Sequence, residues 1–112
     1  MIVWHNPRCS KSREALELLE KKGEKVKVRL YLKETPTNEE IIDLILKLDI
    51  EPEQLLRKGE AIFKEKFKGK EMSDLEWIEA MVEYPKLIER PIAIKGEYAV
   101  IGRPPALVLD IL

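Results

Sequence analysis

Two strand-like runs with one helical run between them open this chain, and that order restricts the fold more than any other feature. Ile2-Val3-Trp4-His5 is apolar enough for a short buried strand over residues 2–5. Asn6-Pro7 then marks a turn. From Ser10 onward, Ala15, Leu16, Leu18 and Leu19 recur at helical spacing, which predicts a helix over 10–22. Gly23, after Lys21 and Lys22, closes it. Lys25-Val26-Lys27-Val28-Arg29-Leu30-Tyr31-Leu32 alternates strictly. Residues 25–32 are therefore expected as a second strand, with Val26, Val28, Leu30 and Leu32 on one face. Strand, helix and strand make a βαβ unit, whose crossover should be right-handed.

The middle of the chain reads as helices. Thr37 with Glu40 forms a capping box, and the helix behind it turns Ile41, Ile42, Leu44, Ile45 and Leu48 towards a core. Pro52 opens a short helix through Leu55 and Leu56, and residues 60–67 form another, with Ile62, Phe63 and Phe67 apolar. Ser73 with Glu76 is a second capping box, opening a helix through Trp77, Ile78, Met81 and Val82 that Tyr84-Pro85 ends. Residues 91–95 and 97–101 are two short strands around Gly96, which suits a tight hairpin. Gly102-Arg103-Pro104-Pro105 leads into a last helix carrying Leu107, Val108, Ile111 and Leu112. The order βαβ, helices, ββα is that of an α/β, thioredoxin-like fold. It has one mixed four-stranded sheet, and about three helices are inserted over residues 37–84. At 112 residues the chain is expected to be a single domain over 1–112.

Composition excludes several function classes. Lys plus Arg is 20 and Asp plus Glu is 21, a net charge of −1, which argues against nucleic acid or a membrane surface as the main partner. One His and one Cys give no metal-ligand cluster. A single cysteine cannot form an internal disulfide, which fits a reducing cytosol. With no signal-peptide pattern and no apolar run of membrane-spanning length, a cytoplasmic location is expected. Nothing in the sequence demands an oligomer, so a monomer is expected.

Cys9 lies where the first strand turns into the first helix. Unpaired N–H groups and the positive end of the helix dipole favour negative charge there, so a thiol ionises more easily, and the thiolate is the reactive form. A lone cysteine is usually an inert, buried small hydrophobe. Here Arg8, Ser10, Lys11, Ser12 and Arg13 make polar, mostly basic flanks, a poor wall for a core thiol and a good one for a thiolate. His5 either tunes that thiolate by charge or hydrogen bonding or is a packed structural histidine. Ser12 either donates its hydroxyl to the sulfur or caps backbone groups. Trp4 and Trp77 read as core. Arg57, Arg90 and Arg103 stand in turns at element ends, where binding residues concentrate, and an arginine fork suits oxyanions. In a thioredoxin-like fold the loop before the third strand carries a cis-proline facing the active cysteine, and Arg90-Pro91 occupies that place.

At these residues the chain resembles the glutaredoxin-coupled arsenate reductases. His5-Asn6-Pro7-Arg8-Cys9-Ser10-Lys11-Ser12-Arg13 matches the family's His-Asn-Pro-x-Cys-x-x-Ser-Arg signature. Tyr31-Leu32, Pro36-Thr37, Leu55-Leu56-Arg57, Leu87-Ile88-x-Arg90-Pro91-Ile92 and Arg103-Pro104 match later segments in order. The resemblance implies that Cys9 is the nucleophile, that His5 keeps it ionised, and that Arg57, Arg90 and Arg103 hold arsenate or a similar oxyanion. It also implies glutathione as co-substrate and glutaredoxin as partner, with no tightly bound cofactor. The lack of a second cysteine fits a scheme in which further thiols come from outside. Arg8 and Lys11 make the active loop more basic than in many members.

Phosphatase-like arsenate reductases need Cys-x5-Arg, and Ala15 stands where that arginine would be. A polymerase-binding regulator of the same fold is a rival reading, but Ser12 in the second place rules out a Cys-x-x-Cys switch. A glutathione-dependent thiol–disulfide oxidoreductase that never meets arsenate is another.

Overall fold

The computed structural model describes residues 1–112 and divides into two compact units, Met1–Glu34 with Arg90–Leu112, and Thr35–Glu89.

The first unit holds one sheet. Strand β1 is Ile2–Trp4, helix α1 is Ser10–Lys21, β2 is Lys27–Arg29, β3 is Ile92–Lys95 and β4 is Tyr98–Ile101. The sheet is mixed and four-stranded, in the order β2-β1-β3-β4. β1 runs parallel to β2 and antiparallel to β3, and β3 and β4 form an antiparallel hairpin. Gly96 takes φ +60° at the hairpin turn, a left-handed conformation that glycine adopts without a Cβ penalty. Val3 and Ala93 are register partners. With Ala15, Leu19 and Val108 they form a fully buried cluster, edged by Met1, Leu16, Val100 and Ile111. Trp4 and Ile92, also register partners, are buried on the opposite sheet face. α1 ends at Gly23 (φ +73°), whose N–H returns to the Glu20 carbonyl.

Two elements differ from the sequence reading. β2 spans three residues, Lys27–Arg29, rather than 25–32. The Leu30 carbonyl accepts the N–H groups of Lys33 and Glu34, so the chain turns there. Tyr31 is fully buried and stacked on Trp4, with ring centroids 6.2 Å apart. Val28 and Leu32, placed on a common face by alternation, are exposed. An aromatic anchor has overridden a periodicity that only described the chain locally. The last helix is a 3-10 helix over Pro105–Ile111, with Leu107 N–H bonded to the Pro104 carbonyl and Leu112 N–H to the Leu109 carbonyl.

The second unit is helical. α2 is Asn38–Leu48, α3 is Ala61–Lys66 and α4 is Asp74–Glu83, with 3-10 turns at Pro52–Leu55 and Pro85–Leu87. Both capping boxes form: Thr37 and Ser73 accept the N–H groups of Glu40 and Glu76, whose carboxylates accept the cap N–H groups in return. Ile41, Leu44, Trp77, Ile78 and Met81 supply its core. Phe63 stacks on Trp77 at 6.1 Å. An isolated antiparallel bridge, Leu56 to Ile88, joins the unit's two extended segments.

Candidate active site

Cys9 is the N-cap of α1, with extended backbone (φ −95°, ψ 121°) and no side-chain cap on the helix. The loop that brings it there is tied at three points. Cys9 N–H donates to the Asn6 carbonyl at 3.0 Å, and Arg8 N–H donates to Asn6 Oδ1 at 3.0 Å. Arg13, one turn into the helix, reaches back with Nη1 to the Pro7 carbonyl at 2.8 Å. The free helix N–H groups therefore point at a partly exposed sulfur.

Burial alone would push the Cys9 thiol up. The Ser12 N–H, the Arg90 guanidinium as donor and as charge, and the Lys11 N–H together outweigh it, and the thiol lies below its ordinary value. Arg103 adds a second guanidinium, with Nη2 3.5 Å from Sγ. The same side chain donates from Nε to the Arg90 carbonyl at 2.7 Å. Arg90 Nε is buried with no partner inside the protein. The Arg90–Pro91 and Arg103–Pro104 peptide bonds are both cis.

His5 and Ser12 are both buried and bonded to each other, Nδ1 to Oγ at 2.7 Å. Ser12 Oγ also accepts the Asn6 N–H at 3.1 Å. Burial first, and then the charge of Arg13, hold His5 below its ordinary value. Of the two roles open to Ser12, the hydroxyl takes the backbone-binding one, and what Ser12 gives the sulfur is its N–H. His5 likewise spends Nδ1 on Ser12.

A thiolate held by helix N–H groups and two guanidinium groups can bind an oxyanion and attack its central atom. The family model described as ArsC family matches residues 4–111 of this chain.

The chain belongs to the ArsC family. It is 42% identical to an arsenate reductase of Haemophilus influenzae, over 100% of this chain and 98% of that one. It is 37% identical to an arsenate reductase of Yersinia enterocolitica, over 100% of this chain and 80% of that one. The structure of an arsenate reductase from Vibrio cholerae superposes with a TM-score of 0.95 at 44% identity, covering 99% of this chain and 96% of that one. The thioredoxin-like fold and mixed sheet of this ArsC chain agree with the sequence reading.

Of the residues singled out from the ArsC sequence, the structure gathers Cys9, Arg90, Arg103 and the His5–Ser12 pair within the sheet unit. Arg57 lies in the helical unit. Its N–H bonds the Leu87 carbonyl at 2.7 Å, its Nε is 3.9 Å from carboxylate oxygens of both Glu60 and Glu89, and its Nη1 is buried without a partner.

Two contributors escaped sequence reasoning. The Arg13 bond to Pro7 needed the loop's path to be known. Gly102 is a close-approach glycine: a Cβ there would lie 2.8 Å from Pro91 Cγ and 2.9 Å from Val108 Cγ1. The run Gly102-Arg103-Pro104 was the available signal, since a glycine beside a functional turn often marks tight backbone packing.

Proposed function

We propose that this chain is an arsenate reductase that works through Cys9 with glutathione and glutaredoxin as external thiols. The observation that carries the proposal is the meeting of Arg103 Nη2 and the Arg90 guanidinium at the Cys9 sulfur on a helix N-terminus. Arsenate is held by N–H groups of the Cys9–Ser12 turn and by Arg90 and Arg103, which neutralise charge on the oxyanion and its transition state. His5 and Ser12 act as positioning residues that keep the turn in shape.

The Cys9 thiolate attacks arsenic and expels hydroxide, which takes a proton and leaves as water, so a sulfur–arsenic bond forms. A glutathione thiolate then attacks. Its sulfur bonds to Cys9 Sγ as the sulfur–arsenic bond breaks. That bond's electron pair stays on arsenic, which goes from As(V) to As(III) and leaves as arsenite, and the two sulfurs remain joined as a Cys9–glutathione disulfide. A glutaredoxin thiolate attacks the glutathione sulfur of that disulfide and returns Cys9. The Cys-x-x-Ser spacing supports this use of outside thiols, because no second cysteine is available.

The test is arsenate-dependent NADPH oxidation with glutathione, glutaredoxin and glutathione reductase, with Cys9→Ser as control. Turnover that disappears in the variant is expected. An inactive wild type whose Cys9 still reacts with glutathione disulfide would make it a thiol–disulfide oxidoreductase instead, and silence in both assays would leave a binding protein on this fold.

A further inference from the structure

The sulfur of Cys9 has an inner set of partners, Arg90, Arg103 and the N–H groups of Lys11 and Ser12, and these suffice for a small oxyanion. Outside that set stand two more cations. Arg8 precedes Cys9 directly and Lys11 follows two residues later, both with exposed side chains. Chain geometry alone keeps them close, since adjacent Cα atoms are about 3.8 Å apart.

Neither Arg8 nor Lys11 enters an ion pair. Lys47, Lys58, Lys95 and Arg57, by contrast, each have a carboxylate within reach. The first turn of α1 carries no acidic residue to offset them. Arg13, the third cation of the loop, already spends Nη1 on the Pro7 carbonyl. A chain whose net charge is −1 therefore concentrates unpaired positive charge around its one thiol. Exposed cations of this kind contribute little static binding energy, but they steer and orient an approaching anion.

We propose that Arg8 and Lys11 form the recognition surface for the carboxylates of the small thiol that exchanges with Cys9, selecting an anionic thiol over a neutral or cationic one. The inference rests on the glutathione reading of the site. In the exchange with a small disulfide, the Cys9 thiolate attacks one of its sulfurs, one S–S bond forms as another breaks, and the displaced thiolate carries away the electron pair. Carboxylates on the incoming molecule then sit on Arg8 and Lys11 while its sulfur faces Cys9, leaving Arg90 and Arg103 to the oxyanion.

The test needs no arsenate, so its outcome is separate from that of the reductase assay. Rates of mixed-disulfide formation at Cys9 are measured with glutathione disulfide (anionic), 2-hydroxyethyl disulfide (neutral) and cystamine (cationic). Rates are expressed relative to the neutral probe, which cancels changes in the intrinsic reactivity of the thiol. The wild type should prefer glutathione disulfide, and the preference should fall with added salt. Arg8→Glu/Lys11→Glu should lower the anionic-to-neutral ratio about tenfold and raise the cationic-to-neutral ratio. Lys21→Glu/Lys22→Glu makes the same change in net charge at the far end of α1, and it should leave both ratios near wild type. An unchanged ratio in Arg8→Glu/Lys11→Glu would assign the preference to Arg90 and Arg103 and overturn the proposal. So would an equal response in the Lys21/Lys22 variant, or no anion preference in the wild type.

Discussion

Gly102 and Pro91 meet backbone to ring. The Gly102 N–H donates to the Pro91 carbonyl at 2.8 Å, and a Cβ on Gly102 would lie 2.8 Å from Pro91 Cγ. This contact joins the two turns that carry Arg90 and Arg103, and Arg103 Nε closes the arrangement on the Arg90 carbonyl. Gly102→Ala should therefore move both guanidinium groups relative to the sulfur. We expect a stability loss of about 1–3 kcal/mol from overpacking together with a rise in the Cys9 titration midpoint. Thermal melts and thiolate absorbance against pH measure the two effects. A destabilised variant with an unchanged thiol titration would separate Gly102 from the site.

Arg90→Leu removes the charge and the donor that hold the Cys9 thiol below its ordinary value. The midpoint should rise by about one unit or more, the usual effect of losing an opposite charge at short range. Arsenate turnover at neutral pH should fall both because less thiolate is present and because an oxyanion ligand is gone. Thiolate absorbance reports the first effect, and the residual loss at saturating pH reports the second.

Ser12→Ala leaves the buried His5 Nδ1 and the partly buried Asn6 N–H without their partner. The cost should be about 1–3 kcal/mol, read from denaturant unfolding. His5→Ala/Ser12→Ala should cost less than the sum of the two single variants, because each single change already breaks the same bond.

The pH dependence of stability has a definite sign. His5 has a lowered pKa in the folded state, so below the ordinary histidine range of about 6.5 the unfolded chain binds more protons. Its contribution makes stability fall as pH drops below that value, until the folded-state pKa is passed. Cys9, also lowered, adds stability as pH rises through its folded-state pKa towards the unfolded one, and loses it on the way down. His5→Asn should flatten the acid limb and Cys9→Ser the alkaline limb of a stability profile from urea unfolding. An acid limb unaltered in His5→Asn would contradict this assignment.

The two capping boxes offer a control away from the thiol. Thr37→Ala and Ser73→Ala each remove the side-chain acceptor at a helix N-terminus and should cost about 1 kcal/mol apiece. Neither should shift the Cys9 titration, since the groups that perturb the thiol are Ser12, Arg90 and Lys11. Melting temperature and thiolate absorbance on the same samples check both statements.

Local chemistry made much of this molecule legible. Thr37–Glu40 and Ser73–Glu76 announced their helices because a capping box satisfies backbone groups within four residues of chain. Gly23 and Gly96 marked a helix end and a hairpin for the same reason. Where a distant partner decided, the pattern misled. The alternation over Lys25–Leu32 promised eight residues of strand, but the stacking of Tyr31 on Trp4 ended β2 at Arg29. The choice between roles for Ser12 also lay outside its own segment, because it depended on whether His5 was in reach of the hydroxyl.

By itself, then, the sequence determined the order of the elements, the place of Cys9 at a helix N-terminus, and the arginines available to it. Those follow from propensity, periodicity and capping, which act over a few residues. Only the tertiary structure decided that Arg103, 94 positions from Cys9, reaches its sulfur while bonding the Arg90 carbonyl. It also decided that Gly102 must lack a side chain for Pro91 and Val108 to pack. Such contacts depend on sheet register and on the crossing of segments far apart in the chain, and no local pattern encodes a distance between them.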